Sequence, residues 1–98
     1  MDNTAKAELI GPWIDPNERV TIDFEDEKNL NGEVTGCNKE VVNLALETAF
    51  PHLRQEVAFP LGCVEVGEDS EHYTRDPDRP LRYGRLRLSI DQKRPQMM

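Results

Sequence analysis

Four side chains of the kinds that hold metals or act as nucleophiles and bases are scattered along the chain: Cys37, His52, Cys63 and His72. Their types suit zinc, but successive spacings of 15, 11 and 9 residues supply no pair of ligands across a tight turn, which is how zinc sites are usually assembled. Cys63 follows Gly62 in an apolar stretch, where a thiol has a raised pKa and is inert, so it is expected to pack rather than react. Ser70 and His72 stand among Glu68, Asp69 and Glu71, an acidic stretch that reads as a solvated loop. The acidic run from Asp23 to Glu27 lacks the alternating oxygen ligands and turn glycine of a calcium loop. GEVTG and GCVEVG each place two glycines, yet neither sets up a strand, loop and helix with the lysine and hydroxyl of a phosphate-binding loop. No cofactor or metal is therefore expected, and the chain reads as non-enzymatic. The enzymatic alternative is a small oligomer with a pocket at its interface.

The second candidate chemistry is electrostatic. Residues 1–74 carry 5 Lys and Arg against 16 Asp and Glu, a net of −11, whereas residues 75–98 carry 7 against 3, a net of +4. The whole chain is at −7. This split predicts a dipolar surface. On a strand, Tyr83, Arg85 and Arg87 share a face, with Arg82 beside them, an arrangement able to stack a base and meet phosphates. The overall acidity opposes nucleic acid, since such binders are usually basic. The alternatives are a protein contact through the same residues, or internal pairing with the acidic part across a sheet.

Composition limits what can position these groups. Ninety-eight residues make one domain, 37% hydrophobic and 32% charged, so the core is thin and association would bury more apolar area. The chain starts at a Met and is expected to be a complete small reading frame. No run of about 18 apolar residues is present and the first 20 residues lack a signal-peptide pattern, so a cytoplasmic location without membrane contact is expected. Two thiols in such a compartment are expected to stay reduced.

Residues 1–18, punctuated by Pro12 and Pro16, read as an irregular arm pinned to the body by Trp13. Val20, Ile22 and Phe24 alternate with polar residues and predict a strand, Asn31-Gly32 predicts a hairpin turn, and residues 33–37 a returning strand. Asn38 as N-cap and apolar residues at Val42, Ala45, Leu46, Ala49 and Phe50 predict a helix over 38–50, ended by Pro51. Residues 57–67 and 81–91 read as a long bent hairpin with a bulge at Gly62, an edge or bend at Pro60, and a loop at 67–80 as its tip; Leu86, Leu88 and Ile90 face the core. Residues 92–98 read as a frayed tail.

The predicted object is a single α+β domain with a body over 19–91. About four mostly antiparallel strands, in the order β-β-α-β-β, carry one helix on one face. Its expected work is binding a protein partner or a second copy of itself through the dipolar surface, with Tyr83, Arg85, Arg87, Arg82 and Trp13 as contact residues. The alternative is RNA or single-stranded DNA on the basic C-terminal strand. A small, acidic, motif-free chain of this type fits a viral or phage accessory, assembly or inhibitory factor.

Overall fold

The Asp2 carboxylate accepts a hydrogen bond from the Ala5 N–H at 2.8 Å and so starts a helix, α1 (Asn3–Ile10), where an irregular arm was expected. This correction has a local cause. NTAKAELI is rich in good helix formers, and Asp at the N-cap satisfies an otherwise orphaned amide. Pro12 does not break the segment. It sits in a single 3-10 turn, Gly11–Trp13, where its missing N–H costs nothing. The computed structural model from which these observations come describes residues 1–15, 18–48, 50, 52–67 and 85–95.

Six strands follow among the described residues: β1 (Val20–Phe24), β2 (Leu30–Cys37), β3 (Val41–Glu47), β4 (Arg54–Pro60), β5 (Val64–Val66) and β6 (Arg87–Ile90). They form one sheet in the order β4-β3-β2-β1-β6-β5, antiparallel except where β1 runs parallel to β6. The architecture is thus α+β and mostly antiparallel, with two strands more than expected and the helix at the N-terminus rather than mid-chain.

The predicted helix over 38–50 is strand β3. The sequence VVNLALE satisfies both periods over this short span. Val42, Leu44 and Leu46 are buried on one face and alternate with Asn43 and Glu47, and the two leading valines favour extended backbone. Asn38 does cap, but it caps a turn: its Oδ1 accepts from the Glu40 and Val41 amides at 2.8 and 2.9 Å, reversing the chain from β2 into β3. The Asn31-Gly32 turn is also displaced. The chain reverses over residues 25–29, where Asn29 takes the left-handed conformation (φ 58°) and donates its N–H to Asp23 Oδ1 at 2.7 Å. Gly32 lies inside β2.

The expected long hairpin holds only in its inner part. β5 pairs with β6 from Val64↔Ile90 to Val66↔Leu88, whereas β4 turns away to pair with β3 from Val41↔Pro60 to Glu47↔Arg54. Gly62 sits in a 3-10 turn, Leu61–Cys63, rather than a bulge; the register shift lies between Val34 and Gly36. The loop tip falls outside the described residues.

That 3-10 turn sets the shape of the sheet. It joins β4 to β5, which lie at opposite edges. The four Cα steps from Pro60 to Val64 reach at most about 14 Å, while the edges of a flat six-stranded sheet stand about 24 Å apart. The sheet must therefore curl toward closure. The Phe24 and Phe59 rings confirm it: their strands are three places apart, about 14 Å if flat, yet the ring centroids are 5.6 Å apart. Inside the curl lie Val20, Ile22, Phe24, Val34, Val42, Leu44, Leu46, Phe59, Val64, Leu86, Leu88 and Ile90, joined by Ile10, Trp13 and Leu61. Leu86, Leu88 and Ile90 are core as expected.

Lys6 fastens α1 to the corner. Lys6 is 7% exposed, and its ammonium donates to the Leu61 carbonyl at 2.9 Å. Lys6→Met keeps the stem's packing and removes this hydrogen bond, while the Leu61 carbonyl still accepts from the Val64 N–H, so a loss of about 0.5–1.5 kcal/mol is expected in urea titration. An unchanged midpoint would show that the contact contributes nothing.

Candidate association surface

The basic C-terminal strand finds partners within the chain. Thr21 lies opposite Arg87 where β1 and β6 run side by side, and Arg87 Nε sits 3.1 Å from Asp23 Oδ2 while its guanidinium also contacts Asn29 Oδ1. Arg94 ion-pairs with Glu27 at 2.7 Å, donates its backbone N–H to Asp26 Oδ1 at 2.9 Å, and donates its guanidinium to the Glu47 carbonyl. Two of the C-terminal cations therefore meet the acidic turn between β1 and β2. Arg85 is exposed, just ahead of β6. Trp13 is buried, 3% exposed, and serves as the anchor for the N-terminal segment. Arg82 and Tyr83 lie outside the described residues.

The acidic turn has its own electrostatic signature. Glu25 hydrogen-bonds the side chain of Asp91, and this contact, followed by the repulsion between the two carboxylates, raises the Glu25 pKa above the ordinary carboxylate range; Lys93 opposes the shift. The folded state then binds this proton more tightly than the unfolded chain. The penalty is absent below the ordinary carboxylate range and grows as pH rises through the raised pKa. Glu25→Gln is expected to raise the melting temperature at pH 7 and to leave it unchanged near pH 3. Equal effects at both pH values would contradict the pairing.

A second polar cluster lies where β2, β3 and β4 meet. Arg54 at the start of β4 pairs with Glu33 of β2, and Arg19 pairs with Glu47 at the end of β3. The connection from β3 to β4 is drawn in by Thr48, whose hydroxyl lies 2.8 and 2.6 Å from the Phe50 and Leu53 carbonyls and accepts from the Phe50 N–H at 3.1 Å. Arg19, Glu47, Thr48, Leu53 and Arg54 line an open cleft of about 200 Å³. Phe50 and Leu53 are exposed beside it, with the Phe50 and His52 rings 6.3 Å apart.

β4 is the edge of the sheet, and among the described residues no strand flanks its outer side. Arg54, Glu56, Ala58 and Pro60 are exposed along it, while Phe59 points into the core and Gln55 and Val57 are half-buried. Pro60 marks an edge or bend in the sequence, whereas the contact residues expected from the sequence, Tyr83, Arg85, Arg87, Arg82 and Trp13, belong to other segments. The alternation of Arg54 and Glu56 with Gln55 and Val57 was the signal available for extending the strand back to Arg54.

The remaining candidates do not converge. Among the described residues no three His, Cys, Asp or Glu side chains are placed to hold a metal. Cys37 and Cys63 are free thiols, and burial pushes the Cys37 pKa up. No described helix is long and apolar enough to cross a membrane. The fold defines a small α+β domain with a curled, mostly antiparallel six-stranded sheet. No family model matches the chain, and neither a curated protein nor a solved structure is detectably similar to it.

Proposed function

We propose that this chain is a non-enzymatic interaction protein that binds another protein or a second copy of itself. The observation that carries the reading is the β4 edge. It is seven residues long, with its only proline at the end, whereas the opposite edge, β5, is three residues long. A long edge strand presents unpaired backbone groups and invites another strand. The dipolar charge pattern contributes less than its size suggests, because Arg87 and Arg94 are engaged by Asp23, Asp26 and Glu27. Arg85 is exposed just ahead of β6, where a charged partner would reach it.

The test is light scattering of the purified chain, with a gel shift on single-stranded RNA and DNA at about 50 and 500 mM salt. The reading expects a mass above 11.2 kDa or capture of a protein partner, and no shift. A salt-sensitive shift abolished by Arg85→Glu would replace it with nucleic-acid binding, since neutralised phosphates make such binding steeply salt-dependent.

A further inference from the structure

From the residues along β4 we infer that its partner is a second copy of this chain, docked antiparallel with the two-fold axis through Gln55. This inference rests on the association reading and specifies its partner and register.

Two antiparallel copies of β4 continue one sheet with the apolar faces aligned only when the axis passes through a residue, because neighbouring side chains point to opposite faces. An axis at Arg54 sets two guanidinium groups opposite each other, and one at Glu56 sets two carboxylates opposite each other, both unfavourable. An axis at Val57 places Arg54 opposite Pro60, and one at Ala58 places Glu56 opposite Pro60, so the single residue without an N–H would sit within the new ladder. An axis at Gln55 has neither fault. It sets Arg54 opposite Glu56 twice on the polar face, Leu53 opposite Val57 twice on the apolar face, and Gln55 opposite Gln55 on the axis.

The free chain has what this register needs. Leu53 is 45% exposed, and Val57 is only half-buried against the core. Glu56 is exposed and has no ion pair among the described residues, while Arg54 already stands in the polar face beside Glu33. Charges on an edge strand normally discourage pairing. Here their order, basic then acidic with one residue between, makes the edge complementary to itself and to nothing shifted by two residues.

The test is disulfide trapping by Gln55→Cys in the full chain. A residue on the axis faces its own copy at a Cα separation of about 4.5–5.5 Å, within disulfide reach, whereas a residue off the axis does not. Mild oxidation should give a covalent dimer for Gln55→Cys but not for Ala58→Cys or the native chain. In sedimentation equilibrium, Glu56→Arg should weaken the dimer at least about tenfold by opposing two arginines. Combining Arg54→Glu with Glu56→Arg exchanges the charges and should bring the affinity back. A native chain that stays at 11.2 kDa up to about 1 mM overturns the inference. So does a dimer that Gln55→Cys does not trap and Glu56→Arg does not weaken; that result leaves the association reading standing on a different surface.

Discussion

Replacing Gly32 by valine is expected to destabilise the fold by at least about 3 kcal/mol, the upper range for overpacking, and so to remove a large part of the roughly 5–15 kcal/mol that holds a domain of this size. A Cβ at this position would lie 2.6 Å from Ile22 Cδ1 and 2.9 Å from the Ala45 carbonyl oxygen. The first contact is a buried side chain at the centre of the curl. The second is backbone of the neighbouring strand and cannot retreat without breaking the β2–β3 ladder, in which Gly32 sits opposite Leu46. Gly36 is the control. Its added Cβ would meet only the end of the Asn43 side chain, at 3.1 Å, so Gly36→Ala is expected to stay within about 0.5 kcal/mol of the native chain. Urea midpoints for the two variants decide the matter. A Gly32→Val protein as stable as the native chain would mean that β1 and β3 do not approach here as described.

The second large effect is at Phe59, where alanine should cost about 3–5 kcal/mol. The ring is 1% exposed and touches Phe24 from the far side of the curl. Its removal leaves a cavity between strands that are not neighbours in the sheet. Phe50→Ala distinguishes this account from a helix over 38–50. In a helix Phe50 would complete the apolar face, whereas in this fold it is 55% exposed, so its loss should change stability by less than about 0.5 kcal/mol. Comparable losses at Phe50 and Phe59 would contradict the strand assignment of β3.

Strands whose alternation was uncontested were legible in the sequence. Val20, Ile22 and Phe24, and again Leu86, Leu88 and Ile90, keep a strict period of two, and both sets are core. Residues 41–50 were not legible because Val41, Val42, Leu44, Ala45 and Leu46 within seven residues fit either period, and Asn38 opens a turn with the same side-chain hydrogen bonds that would open a helix. Asn31-Gly32 misled for a different reason. The glycine serves a close approach inside the sheet, and Asn29 takes the left-handed position without a glycine beside it. The N-terminal helix was hidden by reading Pro12 as a breaker, although a proline at the start of a following 3-10 turn ends nothing that precedes it.

The candidate surface was legible only in outline. Pro60 marked an edge, but which strand β4 would join depends on β3 being a strand at all. The basic C-terminal residues drew attention through their charge, and the fold brings two of them against Asp23, Asp26 and Glu27, tens of residues away in sequence. Such pairings depend on the parallel contact of β1 with β6, which local patterning does not encode.

The most direct test of the central claim, that the β4 edge is where this chain associates, is amide hydrogen exchange of the native protein at low and high concentration. The account predicts that amides in Arg54–Val57 gain protection as concentration rises, while those of β5 at the opposite edge do not change. Exchange at Arg54–Val57 that is independent of concentration, or protection that grows only elsewhere, would contradict it.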